Sequence, residues 1–125
     1  MIDHDALIAE MRGLREQVAG ITGTVVAAVD GLLVAADTEN GIDPDDLAAV
    51  AAAGLSIARR TAAVTDRGAL NRTVAYSSRG YAAAYAVGDM ALIVVLGDEG
   101  LDISQLHRES RSALERIGSI LIKGE

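Results

Sequence analysis

The sequence predicts an α+β domain of three layers, α/β/α, in which helices cover both faces of a five-stranded antiparallel sheet. The first observation is the order of the segments with helical or strand periodicity, which is helix–strand–strand–helix–strand–strand–strand–helix. The second is that glycine-containing turns separate the strands, which is typical of antiparallel hairpins. The third is the length of 125 residues, which suffices for one domain, residues 1–125, with a buried core.

The composition excludes several classes of protein. The chain contains no Cys, which excludes disulfides, thiolate metal sites and cysteine nucleophiles. It has no Trp, no Phe and three Tyr although half of its residues are hydrophobic, so the core must be aliphatic. A net charge of −7 argues against binding to nucleic acid or to an anionic membrane surface. No signal-peptide pattern is present and no segment approaches the ~18 apolar residues that span a bilayer, so we expect a cytoplasmic protein without membrane insertion.

The first helix is predicted over Asp3–Ala19. Asp3 can accept hydrogen bonds from the free amides of the first turn. Ile2 and Leu7 are placed to form a hydrophobic staple across this cap. Gly20 is a suitable residue to end the helix.

The first hairpin is predicted from two valine-rich strands, Thr24–Val29 and Leu32–Ala36. The residues between them are Asp30 and Gly31. A two-residue Asp-Gly loop favours a type I′ turn, because both positions of that turn require a positive φ. We therefore expect an antiparallel pair with a tight connection.

The middle helix is predicted over Asp43–Val64, and the rest of the interpretation depends on it. Asp43 can cap the first free amides, and Pro44 fits the first helical position. The helical spacing predicts an inner face on the sheet that consists of Leu47, Val50, Ala51, Gly54, Leu55 and Ala58. The opposite face is small and nearly apolar, with Ala48, Ala49, Ala52 and Ser56.

The unusual feature of this helix is that both faces are apolar. Such a helix is normally covered on both sides, and a chain of 125 residues has little material with which to do so. We therefore expect a second protein molecule to cover the outer face. The alternative is that alanine occupies an exposed face for its helix propensity alone, since apolar atoms are common on protein surfaces.

Three further strands and a last helix are predicted in the second half of the chain. The strands are Asn71–Ser77, Gly80–Val87 and Met90–Leu96, separated by short turns. The helix is Leu101–Ile122. Met90–Leu96 is an unbroken apolar run, which indicates a central strand that is covered on both faces.

The sheet order follows from this central strand. Met90–Leu96 pairs with Gly80–Val87 through the tight turn, and its other neighbour is predicted to be Thr24–Val29. The edges are then Leu32–Ala36 and Asn71–Ser77. One face of the sheet receives two helices, whereas the other receives only the middle helix and is incompletely covered.

The sequence offers little support for catalysis, a cofactor or a metal. Gly20–Thr24 lacks the Lys and the following helix of a phosphate-binding loop. The acidic stretch Asp37–Asp46 does not have the ligand spacing of a calcium loop. His4 is predicted in the first turn of a helix and His107 on a helix surface, whereas Ser77 and Ser78 lie in a turn with no histidine near them in sequence, so a hydrolase would require a triad that forms only in the folded chain. We expect a protein that is not an enzyme.

Four arginines deserve separate mention because guanidinium groups suit phosphate recognition and interfaces. They are Arg59, Arg60, Arg72 and Arg79. One of them could stabilise the transition state of a GTPase as an arginine finger. The alternative is an ordinary surface role, since lone surface charges contribute little.

The arrangement resembles the roadblock (dynein light chain) family, in particular its bacterial branch of small-GTPase regulators. The resemblance covers about Asp5 to Leu121. It rests on the order and spacing of the hairpin VVAAVDGLLVAA (Val25–Ala36), the Ala-rich helix after it, the strand MALIVVL (Met90–Leu96) and the last helix.

The resemblance implies a homodimer in which the middle helices pack side by side and the following strands join into one ten-stranded sheet. It also implies a small Ras-like GTPase, encoded nearby, as partner, and a non-enzymatic regulator or scaffold that modulates its nucleotide cycle or localisation. The residues that we predict at the dimer or partner interface are Ala48, Ala49, Ala52, Ser56 and Arg59 of the middle helix, with Arg72, Val74 and Tyr76 of the joining strand. The alternative function is a small-ligand sensor module that uses a pocket beside the sheet and has no GTPase partner.

Overall fold

The computed structural model describes residues 1–124 and contains three helices and five strands in the predicted order. Glu125, the last residue of the predicted domain, lies outside the described residues. In chain order the elements are α1 (His4–Gln17), β1 (Ile21–Ala28), β2 (Leu33–Asp37), α2 (Pro44–Val64), β3 (Arg72–Ser77), β4 (Gly80–Val87), β5 (Ala91–Gly97) and α3 (Ile103–Lys123). The predicted α+β class is confirmed.

The five strands form one antiparallel sheet in the order β2-β1-β5-β4-β3. The apolar strand β5 is central, between β1 and β4, and the edges are β2 and β3, as predicted. β1 begins at Ile21, earlier than predicted, because Ile21 already pairs with Gly97 of β5. The pairing of β1 with β5 makes the two halves of the chain a single sheet.

The helix starts follow from the capping residues. The carboxylate of Asp43 accepts hydrogen bonds from the amides of Asp45 and Asp46, at 3.0 Å and 3.4 Å, and Pro44 occupies the first turn. Asp3 caps α1 in the same way, and Asp102 caps α3. Each carboxylate satisfies amides that have no partner within the helix.

The first hairpin differs from the prediction of a type I′ turn. Within residues 1–124, Asp66 is the single non-glycine residue with a positive φ, so Asp30 does not adopt the conformation that this turn requires. Only Gly31 does, with a φ of 94°. The Asp30 carboxylate instead accepts a hydrogen bond from the amide of Leu32 at 3.1 Å, which stabilises a longer loop.

The hydrophobic core has two parts, one on each face of the sheet. The larger part lies under α1 and α3 and includes the fully buried Leu7, Met11, Ile93, Leu106 and Ile117. The smaller part lies under α2 and consists of Val25, Ala27, Ala84, Leu92 and Val94 against Ala48, Ala52 and Leu55. The prediction that two helices cover one face and one helix the other is therefore confirmed.

The predicted orientation of α2 is partly wrong. Leu55 is buried and Leu47 and Ala51 pack against the core, as predicted, but Gly54 of the predicted inner face is exposed. Ala48 and Ala52 were expected on the outer face, but they pack on the sheet and are 0% and 6% exposed. Val50 was expected inside and is 70% exposed. The physical reason is that two small side chains one turn apart let the helix axis approach the sheet, while Leu55 fills the remaining space.

The membrane expectation also needs a correction. Contrary to the sequence analysis, α2 is long and apolar enough to cross a bilayer, by length and composition alone. A core helix can pass the same test, so the finding is weak evidence for a membrane segment. In the fold, one side of α2 is packed on the sheet through Ala48, Ala52 and Leu55.

Candidate functional site

The outer side of α2 carries an apolar stripe that this chain leaves uncovered. Val50, Ile57 and Val64 recur every seven residues and are 70%, 67% and 82% exposed. Gly54 and Thr61 lie between them on the same side, because residues three and four apart share a helix face. We call these five residues the outer stripe. A solvent-facing helix normally carries charged residues there, but α2 contains no Lys or Glu.

The edge strand β3 lies beside α2 and forms the second part of the candidate surface. β3 pairs with β4 on one side, and in residues 1–124 no strand pairs with its other side. Such an edge presents main-chain N–H and C=O groups to any further strand. A mostly apolar groove of about 240 Å³ separates β3 from α2 and is lined by Val50, Ala51 and Gly54 on one side and Val74 and Ala75 on the other.

The predicted interface residues fall into three groups. Ala49 and Ser56 are exposed on α2. Arg72, Val74 and Tyr76 lie on the edge strand β3; of these three, Arg72 and Tyr76 are exposed and Val74 is half-buried. Ala48 and Ala52 are buried beneath α2 and cannot touch a partner. Arg59 is half-buried, and its Nη2 donates a hydrogen bond of 3.1 Å to the carbonyl of Gly88.

Sequence reasoning missed the outer stripe as a partner surface. Val50 was assigned to the core, and Ile57 and Val64 were not singled out. The signal was nevertheless present, because branched apolar residues recur every seven positions among alanines. Bulk rather than polarity distinguishes the two sides of this helix.

A second concave region, which we call the arginine cavity, lies between the C-terminal half of α2, the 65–71 loop, β4 and α3. Its volume is about 640 Å³. Its charged and polar lining includes Arg59, Arg72, Arg111, Asp89, His107 and Tyr85. Arg59 and Arg72, predicted at the interface, therefore share this cavity, whereas Arg60 and Arg79 are exposed elsewhere.

The best-defined polar contact of the cavity joins Tyr85 of β4 to His107 of α3. The Tyr85 hydroxyl lies 2.5 Å from His107 Nδ1, and the rings pack edge to face with centroids 5.7 Å apart. Burial raises the pKa of Tyr85, although the Ser110 hydroxyl and the charge of Arg72 act in the opposite direction. Burial lowers the pKa of His107, and the Arg72 charge lowers it further. Both groups are therefore held in their neutral forms.

The geometry does not form the chain of Ser, His and acid that a hydrolase requires. The hydroxyl of Ser110 donates to the main-chain carbonyl of His107 at 3.2 Å, within α3. His107 Nδ1 contacts a tyrosine hydroxyl rather than a carboxylate, so nothing orients it as a base. His4 is exposed, with Nε2 3.3 Å from the carbonyl of Val34. Residues 1–124 contain no cluster of His, Asp and Glu with the geometry of a metal site.

Comparison with known proteins finds a matching domain family, relatives in sequence and solved structures with the same fold. The model of the Roadblock/LC7 domain matches residues 7–97. An uncharacterised protein of Methanocaldococcus jannaschii is 30% identical over 98 residues, which are 78% of this chain and 85% of that protein. A solved Roadblock/LC7 domain from Streptomyces avermitilis is 22% identical, with a TM-score of 0.85, covering 91% of this chain and 96% of that one. Myxococcus xanthus MglB is 14% identical, with a TM-score of 0.88, covering 97% and 91%.

The solved structures share the fold over nearly the whole chain, including α3, which lies beyond the family match. The family match itself spans α1 from Leu7, both sheet halves and α2, and so includes the outer stripe and β3. With more than half of its residues matched, the chain belongs to the Roadblock/LC7 domain family.

Proposed function

We propose that this chain acts as a single roadblock-like domain that forms a homodimer and binds a small Ras-like GTPase in the cytoplasm, as a non-enzymatic regulator or scaffold. The observation that carries the proposal is the outer stripe of α2 beside the free edge of β3. Membership of the Roadblock/LC7 family supports the GTPase partner that the resemblance implies.

The outer stripe supports a helix–helix contact between two copies. A two-fold axis presents the same patch of each subunit to the other, so a self-complementary stripe is enough. The seven-residue spacing of Val50, Ile57 and Val64 suits two helices that cross at a small angle. Gly54 favours a close approach, since no heavy atom of the chain lies within 4 Å of a Cβ built there.

The free edge of β3 supports a strand–strand contact about the same axis. Two copies of an edge strand related by a two-fold axis run antiparallel, so their N–H and C=O groups can pair directly. The two five-stranded sheets would then become one sheet of ten. β3 and α2 border the same apolar groove, so one partner molecule would cover the groove, the edge and the stripe together.

The GTPase is expected to bind the face that carries the paired α2 helices, as the family resemblance implies. The regulator need not supply a catalytic residue. Arg59 is half-buried and lines the arginine cavity, with its Nη2 bonded to the carbonyl of Gly88, so its side chain does not project from the surface as an inserted arginine finger would. We expect the effect on nucleotide turnover to come from contacts that order the partner's own catalytic loops.

The dimer is tested by light scattering on the intact chain and two matched variants. Ile57→Asp places a charge in the outer stripe and should convert dimers to folded monomers. Ile122→Asp makes the same change at an exposed position of α3, where Ile122 is 71% exposed, and should leave the mass unchanged. A monomeric intact chain would contradict the dimer, and equal masses for both variants would contradict the outer stripe as its interface.

The partner is tested by measuring binding and GTP hydrolysis of small Ras-like GTPases encoded near this gene, with and without the protein. We expect a complex and a change in nucleotide turnover or in localisation of the GTPase. Ile57→Asp should weaken the complex, whereas Ile122→Asp should not. If the dimer forms but no such GTPase binds, the proposed regulatory role is wrong and only the proposed homodimer is supported.

A further inference from the structure

We propose that the arginine cavity binds a small phosphorylated organic molecule. The proposal goes beyond the dimer and the GTPase partner, because every residue that carries it belongs to one chain and none lies in the outer stripe. Arg72 lies on the edge strand β3, but its side chain is on the face of the sheet that α3 covers. It rests on the charge of the cavity, the placement of its donors and its size.

The cavity is positive in a chain whose net charge is −7. Three arginines and one aspartate line it. The ion pairs within residues 1–124 are Arg15–Asp37 and Arg116–Glu10, so neither Arg72 nor Arg111 is neutralised by a described carboxylate. Unpaired guanidinium groups around a concave surface raise the local concentration of anions.

The donors of the cavity come from two opposite walls. Arg72 pairs with Tyr85 across β3 and β4, so both side chains lie on the face of the sheet that α3 covers. On α3, His107 and Arg111 are one turn apart and share a helix face. From the other wall Arg59 reaches the carbonyl of Gly88, and this single bond leaves guanidinium N–H groups available to a ligand.

This donor set matches a phosphate group. Guanidinium groups bind phosphate oxygens through paired, charge-assisted hydrogen bonds. The Tyr85–His107 pair uses one of its two hydrogens in its own hydrogen bond and leaves the other, the His107 N–H or the Tyr85 O–H, as a further donor beside Arg72. A dianionic phosphate can be surrounded by several positive donors at once, whereas a lone carboxylate would leave most of them without a partner.

The size of the cavity indicates an organic ligand rather than inorganic phosphate. Its volume of about 640 Å³ falls within the range of roughly 300–1,000 Å³ for small-molecule sites. Leu70, Ala86 and Leu114 provide an apolar part of the lining. The phosphate would bind the arginines, and the body of the molecule would contact these side chains.

The test is calorimetric titration of the full chain with inorganic phosphate and with phosphate esters, here glucose 6-phosphate, AMP and GMP. At least one ester should bind about 10-fold or more tightly than inorganic phosphate, because it also gains the apolar contacts. Arg72→Gln and Arg111→Gln should each weaken that binding by about 10- to 100-fold, through loss of charge-assisted hydrogen bonds.

The matched control is Arg108→Gln, which makes the same change on the same helix at an exposed position outside the cavity. It should leave the affinity unchanged. NMR signals of the His107 ring should shift on titration, whereas those of His4 should not. Ile57→Asp should still bind the ester, which separates this proposal from the dimer.

Three results would overturn the proposal. One is the absence of binding by every ester in the panel. Another is an equal loss of affinity in Arg108→Gln and Arg111→Gln, which would indicate diffuse charge rather than a site. The third is inorganic phosphate that binds as tightly as the esters, which would make this a site for a free anion.

Discussion

The helices α2 and α3 are both 21 residues long and lie on opposite faces of the same sheet, yet they are built differently. α3 buries Leu106, Ala113 and Ile117 and exposes charged residues such as Arg108 and Glu115, as expected for a helix between core and water. α2 buries small residues and exposes branched apolar ones. The difference indicates that α3 is completed by its own chain, whereas α2 leaves the outer stripe exposed for the second copy that we propose.

The largest expected effect comes from the buried side of α2. Ala52→Glu would place a carboxylate against the sheet where Ala52 is 6% exposed, and should destabilise the fold by several kcal/mol, on the order of 3–5. Ser112→Glu, at an exposed position of α3, should change stability by less than about 0.5 kcal/mol. Urea denaturation measures both. A stable Ala52→Glu protein that is merely monomeric would mean that Ala52 faces outward after all.

A smaller effect is expected from glycine on the exposed side. Gly54→Leu should weaken the dimer by about 10-fold or more, because a large side chain holds the two α2 helices apart. Gly13 of α1 is the control, since a Cβ at either glycine meets no heavy atom within 4 Å. Gly13→Leu should leave the dimer intact. Sedimentation measures both constants, and a dimer of Gly54→Leu as tight as the intact one would contradict close helix packing.

The contrast between α2 and α3 also explains why the sequence predicted the order of the elements but not which side of α2 faces the sheet. Capping by Asp43, the turn positions and the apolar run of β5 predicted the element order and both sheet edges, because these signals are local and strong. The rotation of α2 was missed because alanine occurs on every side of it, so polarity does not distinguish Ala52 from Ala49.

Side-chain contacts between residues that are distant in the chain could not be predicted, although the strand pairing could. The arginine cavity joins Arg59, Arg72 and Arg111, which are far apart in the chain and meet only in the fold. The Tyr85–His107 contact joins β4 to α3 and has no local sequence signal. The turn type of the first hairpin was predicted wrongly for a different reason. An Asp-Gly pair is compatible with more than one type of turn, and the register of the two strands determines which type forms.

The smallest effect concerns pH and the α3 side of the molecule. Because the folded pKa of His107 lies below its ordinary value of 6.5, the unfolded chain binds more protons than the folded one in the interval between them. The contribution of His107 to stability should therefore be complete above about pH 6.5 and be lost as the pH drops toward the folded pKa. Denaturation of the intact chain and of His107→Gln at pH 5.5 and 7.5 isolates this contribution. An equal pH dependence in both proteins would contradict it.

The central claim is that one second copy of the chain covers both the outer stripe and the edge of β3. Hydrogen exchange of the β3 amides that do not bond to β4 tests it directly, at protein concentrations above and below the dimer dissociation constant. We expect these amides of the intact chain to exchange slowly at high protein concentration and quickly on dilution. In Ile57→Asp we expect them to exchange quickly at both concentrations. Fast exchange of these amides in an intact, dimeric chain would contradict it, because β3 would then remain uncovered.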